Sequence, residues 1–277
     1  MSIAGGVDNA FDRGERVGCQ AMQIFTKSNS QWRARPLREK EIARYHARQA
    51  ETGITPVVAH ASYLLNLGTP DDALWEKSLG SLLVEMERCD VLGIPYLVIH
   101  PGAHVGSGTD AALRRVAQAL DRAVAELAES QVMVCIEGTA GQGTTLCHTF
   151  EEIATLFDLV DEPDRFGVCL DTCHLLAAGY DLRTTSEYER TIVRFDRLVG
   201  LHRLKVWHLN DSKKDLASRV DRHTHIGEGE LGLEPFSLIL NDERFRALPG
   251  LLETPKSQDM HEDVENLERL KQLLNGD

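Results

Sequence analysis

FGVCLDTCHLLAAGYDLRT, residues 166–184, opens with an apolar run that does not alternate and ends on a carboxylate, Asp171, with His174 three positions later. An unalternating apolar run suits a strand buried on both faces, and such strands pair in parallel when helices separate them. The same kind of run recurs at 21–25 (AMQIF), 54–60 (ITPVVAH), 95–100 (PYLVIH), 132–137 (VMVCIE), 204–210 (LKVWHLN) and 249–253 (PGLLE). Between the runs, longer amphipathic segments predict helices at about 6–17, 37–52, 71–92, 109–129, 149–160, 186–200, 234–246 and 261–275. Alternating β and α over 277 residues, with no repeat or composition break, predicts one domain spanning 1–277. The fold expected is a TIM-type (β/α)8 barrel, which runs to roughly 250 residues as a single unit. Seven strands are visible, and the missing one is the first, of which Met1–Ile3 is at most a stub. Either the barrel has seven strands or stands open, or the natural start lies upstream.

Composition narrows the function classes. No stretch is apolar for long enough to span a bilayer, and the N-terminus has no basic segment leading into an apolar core. A cytoplasmic protein is expected, with no membrane partner. The six cysteines form no CxxC pair and read as reduced, buried thiols; Cys169 and Cys173 flank Asp171 and could be mistaken for zinc ligands, but Cys169 sits inside an apolar run and is expected to pack. A formal net charge of −13 taken alone argues against nucleic acid. The distribution softens that objection, because segment 27–48 holds seven basic residues against two acidic ones, and 203–222 is also net basic.

Six of the seven predicted strands end in a potential metal ligand: His60, His100, Glu137, Asp171, His208 and Glu253. In a TIM barrel the carboxyl ends of the strands meet on one face, where active sites lie. Carboxylates gathered there are costly unless cations accompany them. His174 follows Asp171 by three positions, so one turn after the strand would aim both inward, and Asp221 and His223 lie two apart on one side of an extended segment. Nine nitrogen and oxygen ligands exceed what one tetrahedral zinc takes, so two or three metals are expected.

The motifs HASYLLNLG (60–68), HPGAH (100–104), IEGTAGQG (136–143), GVCLDTCHLLAAGYDLRT (167–184), HLNDSK (208–213), SRVDRHTHIGEGELG (218–232) and LLET (251–254) resemble endonuclease IV, the trinuclear-zinc family that cuts DNA at abasic sites. The resemblance implies three Zn2+, with Mn2+ able to replace zinc at one or more sites. It assigns His60 and His100 to one ion, Glu137 to a bridge, Asp171, His208 and Glu253 to a second ion, and His174, Asp221 and His223 to the third. Glu137, Asp171 and Glu253 are the implied catalytic carboxylates. The implied reaction is hydrolysis of the phosphodiester 5′ to an abasic deoxyribose, leaving a 3′-hydroxyl and a 5′-deoxyribose phosphate, together with removal of 3′-blocking groups. The partner implied is double-stranded DNA, engaged by a monomer. Tyr63 and Leu64 look like the family's wedge into the base stack. The loop KSNSQWRARP (27–36) resembles its minor-groove loop, with Lys27 and Arg33 as candidate contacts, and Lys213 and Arg222 are candidates for phosphates. Ser30 stands where some relatives carry arginine, and Gly138 where asparagine is familiar.

Two rival readings remain at this level. One is a metal-dependent sugar isomerase or epimerase, which shares the barrel and the strand-end acids. The other is a DNA-binding but inactive protein lacking its first strand.

Overall fold

A computed structural model of the chain describes residues 1–274, so position 275, the expected end of the last helix, lies outside the described residues. The chain divides into two compact units. The first comprises Met1–Glu137 and Thr155–Gly167. Its elements are α1 (Asn9–Val17), β1 (Met22–Ile24), α2 (Glu39–Thr52), β2 (Val57–His60), α3 (Asp72–Leu92), β3 (Tyr96–Ile99), α4 (Thr109–Glu126) and β4 (Met133–Glu137), with the latter part of α5 (Phe150–Leu159). The four strands pair in parallel in chain order. Their register sets His60 opposite Val98 and Ile99 opposite Ile136. His100 and Glu137 therefore follow one step beyond a matched pair, so the two candidate ligands leave neighbouring strands at one level.

The second unit comprises Gly138–Ala154 and the chain from Val168 onward. It carries β5 (Phe166–Asp171, from Val168), α6 (Thr172–Ala178), α7 (Thr185–Leu198), β6 (Leu204–His208), β7 (Asp211–Ser212), β8 (His223–Thr224), α8 (Glu234–Leu240), β9 (Gly250–Leu251) and α9 (His261–Gln272). β5, β6 and β9 are parallel, with Asp171 opposite His208 and His208 opposite Leu251. β7 and β8 form a small antiparallel pair.

This is the strand–helix order of a TIM-type barrel, and all seven predicted strands are present. No strand precedes α1 among the described residues. Local chemistry explains the boundaries. The Asp71 carboxylate accepts the Leu74 N–H at 3.0 Å and starts α3, while Gly93, in the left-handed region at φ 64°, ends it. α8 stops at Leu240, short of the expected 246. There the Asn241 side-chain amide donates to the carbonyls of Ser237 (2.7 Å) and Leu273 (2.9 Å), tying the helix end to α9. The sequence pattern does not predict α6. Its six residues from Thr172 to Ala177 are all buried, so it shows no amphipathic stripe.

Candidate metal centre

In the first unit, β2, β3 and β4 deliver His60, His100 and Glu137 to one place. The Nε2 atoms of His60 and His100 lie 3.2 Å and 3.1 Å from the same oxygen of Glu137, whose side chain is fully buried. His60 Nδ1 is 2.7 Å from the Ala61 carbonyl oxygen, a contact that requires Nδ1 to carry the proton. A neutral His60 then turns the lone pair of Nε2 toward a carboxylate oxygen. Two acceptors facing each other repel unless a cation or a proton sits with them, and a second ring nitrogen at the same oxygen increases the demand.

The second unit repeats this logic with the remaining candidate ligands. Asp171 ends β5 and its Oδ1 caps α6 by accepting the His174 N–H at 3.0 Å. That cap sets the first turn of α6 and so places the His174 ring. His174 Nε2 is 3.2 Å from Asp221 Oδ2, and His223 Nε2 is 3.3 Å from Asp221 Oδ1 and 3.5 Å from Asp171 Oδ2. Each ring also meets a backbone carbonyl through Nδ1: His174 with Gly138 at 3.0 Å and His223 with Glu253 at 3.3 Å. With the proton on Nδ1, each Nε2 presents a lone pair to carboxylates, the outer hydrogen bonding typical of metal-ligating histidines. Separately, His208 Nδ1 lies 3.2 Å from Glu253 Oε2 and 3.8 Å from Asp171 Oδ2. The donor atoms of His60, His100 and Glu137, and those of Asp171, His174 and His223, lie within 4.8 Å of one another inside each group. Donor type and spacing thus fit divalent cations at both places.

Several residues that hold the ligands are not apparent from sequence. Asn210, fully buried, donates Nδ2 to Asp171 Oδ2 at 2.6 Å and accepts the Glu253 N–H on Oδ1 at 2.7 Å. One amide therefore fixes a carboxylate on β5 and the backbone beside another ligand. Its place in HLN, two residues after His208, is the available signal. Asn210→Ala is expected to lower metal affinity or activity by about 10–100-fold, the usual cost of losing a group that orients a metal ligand. Unchanged metal affinity and rate in that variant would remove Asn210 from the site.

Asp211 is a second such residue. Its Oδ1 accepts the N–H groups of Ser212 (2.7 Å) and Leu231 (3.0 Å), and its Oδ2 those of Gly227 and Gly229 (3.0 Å each). Four backbone donors on one buried carboxylate lock the segment 226–231 against β7, the partner of the strand that bears His223. Gly229 packs so closely that a Cβ there would sit 2.3 Å from the Ser212 carbonyl oxygen. Cys173 also lies with Asp221 and His223 within 4.8 Å. Burial, reinforced by the Asp171 carboxylate, pushes its thiol up to about 12.

The expected DNA contacts fare unequally. Tyr63 is 59% exposed, with its ring 5.4 Å from that of His60, and Leu64 beside it is half-buried. Arg33, Lys213 and Arg222 are exposed, and the Lys213 N–H donates to the Arg222 carbonyl at 2.9 Å, closing the loop that carries both. Lys27 is different: it is buried and its Nζ lies 3.1 Å from Glu85. Burial pushes the Glu85 carboxyl above its ordinary range while Lys27 pulls it back. A buried ammonium committed to a carboxylate has no charge to offer a phosphate, which corrects the expectation for Lys27. The same holds in weaker form for the basic stretch 27–48. Five of its seven cations, Lys27, Arg35, Arg38, Arg44 and Arg48, are ion-paired to acids, so it is not a free basic strip. Among the other histidines, His104 Nδ1 accepts the Gly106 N–H at 3.1 Å, and His225 Nδ1 lies 3.1 Å from the Asn266 amide.

Comparisons with known proteins find relatives over nearly the whole chain. A family model described as xylose isomerase-like TIM barrel matches residues 11–273. A probable endonuclease 4 of Chloroflexus aggregans is 54% identical over 274 residues, covering 99% of this chain and 96% of that protein. The crystal structure of endonuclease IV from Thermus thermophilus superposes with a TM-score of 0.87 at 38% identity, covering 99% of this chain and 96% of that one. A D-allulose 3-epimerase from Methylomonas has a TM-score of 0.71 at 15% identity over 96% of this chain and 91% of that one, a likeness of fold alone. Among the described residues no helix is long and apolar enough to cross a membrane.

Proposed function

Because this chain belongs to the endonuclease IV family, within the xylose isomerase-like TIM barrels, we propose that it repairs DNA by hydrolysing the phosphodiester 5′ to abasic sites with three bound zinc ions. The observation that supports this most is the meeting of His60 and His100 Nε2 on one buried Glu137 oxygen, an arrangement of acceptors that wants a cation. The nine residues His60, His100, Glu137, Asp171, His174, His208, Asp221, His223 and Glu253 would hold the metals. Zinc supplies Lewis acidity there, stabilising charge on the phosphoryl group and lowering the pKa of water.

The chain's own part is to bind, orient and hold. Asn210 fixes Asp171 and the Glu253 backbone, and the Ala61, Gly138 and Glu253 carbonyls fix the ring orientations of His60, His174 and His223. Exposed Tyr63, with Leu64, stands beside His60 where an unpaired sugar must be presented, and flipping is cheapest where no base pairs. Arg33 meets the minor groove, and Lys213 and Arg222 meet phosphates. The protein acts as one catalytic domain and as a monomer. Removal of 3′-blocking groups uses the same site.

A duplex with one abasic site and a labelled strand tests the reading. The zinc-loaded protein is expected to cut 5′ to the lesion and leave a 3′-end that a polymerase extends. Failure to cut with zinc or manganese fully loaded overturns the proposal. Epimerisation of a free ketose in the same preparation would put the sugar-enzyme reading in its place. That rival has no use for the third ligand group, His174, Asp221 and His223. Arg222→Ala and Lys213→Ala are each expected to weaken duplex binding at all sequences and to reduce the salt slope by about one. Titrations at several salt concentrations check this, and an unchanged slope removes the residue from the phosphate contacts.

A further inference from the structure

Glu85, on α3, has no exposed side chain and belongs to none of the ligand groups. Its Oε1 lies 3.1 Å from Lys27 Nζ and accepts the backbone N–H of Ser62 at 3.1 Å. Its Oε2 has no hydrogen-bond partner among the described residues. The Ser81 hydroxyl also donates to Oε1, at 3.5 Å from within α3, while Lys27 and Ser62 both reach onward into the same loop. Lys27 Nζ donates to the Gln31 carbonyl at 2.8 Å, and the Ser62 hydroxyl donates to the Asn29 carbonyl at 2.6 Å. Arg88, one turn further along α3, donates to the carbonyls of Thr26 and Arg35. Loop 26–35, which carries Arg33, and the segment that carries Tyr63 and Leu64 are therefore tied to one helix through one carboxylate.

Stability does not account for this. A buried ion pair with an unsatisfied oxygen is a poor way to stabilise a core, and apolar residues of similar volume usually serve as well or better. An ion pair that reaches two loops does what an apolar pair cannot, because it fixes their backbones by direction as well as by volume. Resting on the endonuclease reading above, we infer that Glu85 is a positioning residue that couples the 26–35 loop to the Tyr63–Leu64 segment, so that both meet an abasic site as one rigid surface.

The test compares wild type, Ser62→Ala, Glu85→Gln and the double variant Lys27→Met/Glu85→Leu, each loaded with zinc, on the abasic duplex. The double variant is expected to match or exceed wild-type thermal stability. Its KM should nevertheless rise by roughly 10–100-fold, the scale on which distant misplacement acts, with kcat and bound metal unchanged. Glu85→Gln keeps an acceptor for Ser62 but not the ion pair and should raise KM by less than the double variant. Ser62→Ala carries little risk to the fold and should raise KM in the same direction without altering metal content. A double variant whose KM returns to wild type together with its stability shows a merely structural pair and overturns the coupling, as does an unchanged KM in Ser62→Ala. Absence of cleavage by the wild-type protein is a separate result: it removes the endonuclease reading and this inference with it.

Discussion

Glu137→Gln is expected to release the cation from the His60–His100 group and to cut incision of an abasic duplex by more than about 100-fold, beyond the range for losing an orienting group. Glutamine keeps the shape of the side chain at the end of β4, so the fold should survive. What changes is the electrostatics. The carboxylate oxygen that lies 3.2 Å and 3.1 Å from two ring nitrogens becomes part of a neutral amide, whose N–H groups can donate to the lone pairs that now call for a metal. Without zinc, the variant is expected to be at least as stable as wild type, because acceptor–acceptor repulsion is relieved. With zinc, wild type should gain stability that the variant does not, since anything bound only by the native state stabilises it. Metal content, thermal unfolding with and without chelator, and incision rate together check this. Full metal content with an undiminished rate would take Glu137 out of the site.

Asp171 offers a second large effect that separates two roles of one side chain. It caps α6 through the His174 N–H at 3.0 Å and also faces His223 and His208. Asparagine is as good a cap as aspartate but is not a charged ligand. Asp171→Asn should therefore lose more than about 100-fold in rate while keeping the cap, although its amide N–H2 then faces the Asn210 Nδ2, which donates to Oδ2 at 2.6 Å, and costs some stability. Asp171→Ala should lose the ~1 kcal/mol of the cap itself. Urea unfolding of chelator-treated proteins measures the second quantity. If Asp171→Asn remains within tenfold of wild-type activity, its charge is not needed and the ligand assignment fails.

The candidate metal ligands were legible because the apolar runs of several strands stop at a residue able to bind a cation. His60, Glu137 and Asp171 are the last residues of β2, β4 and β5, so reading the strand located the ligand. The remaining features were hidden for physical reasons. Asn210 acts through hydrogen bonds to residues far along the chain, and no local pattern encodes such a partner. Lys27 sits in a run of surface cations, and nothing nearby reveals that Glu85 on α3 draws it inside. In α6, burial on every side erases the helical periodicity, and its capping residue already reads as a ligand.

Gly229 has a consequence for descent. A side chain there would press into the Ser212 carbonyl and the Asp211 carboxylate, breaking the clasp that holds the segment after His223. Asp211, Gly229 and the segment after His223 thus act as one unit, and a change at any of them is expected to disturb the others. A lineage abandoning this chemistry would have a route that leaves all nine proposed ligands in place: one methyl group at position 229. Among descendants of this fold, an intact set of ligands is therefore a weaker sign of a working enzyme than an intact set of ligands with glycine at 229.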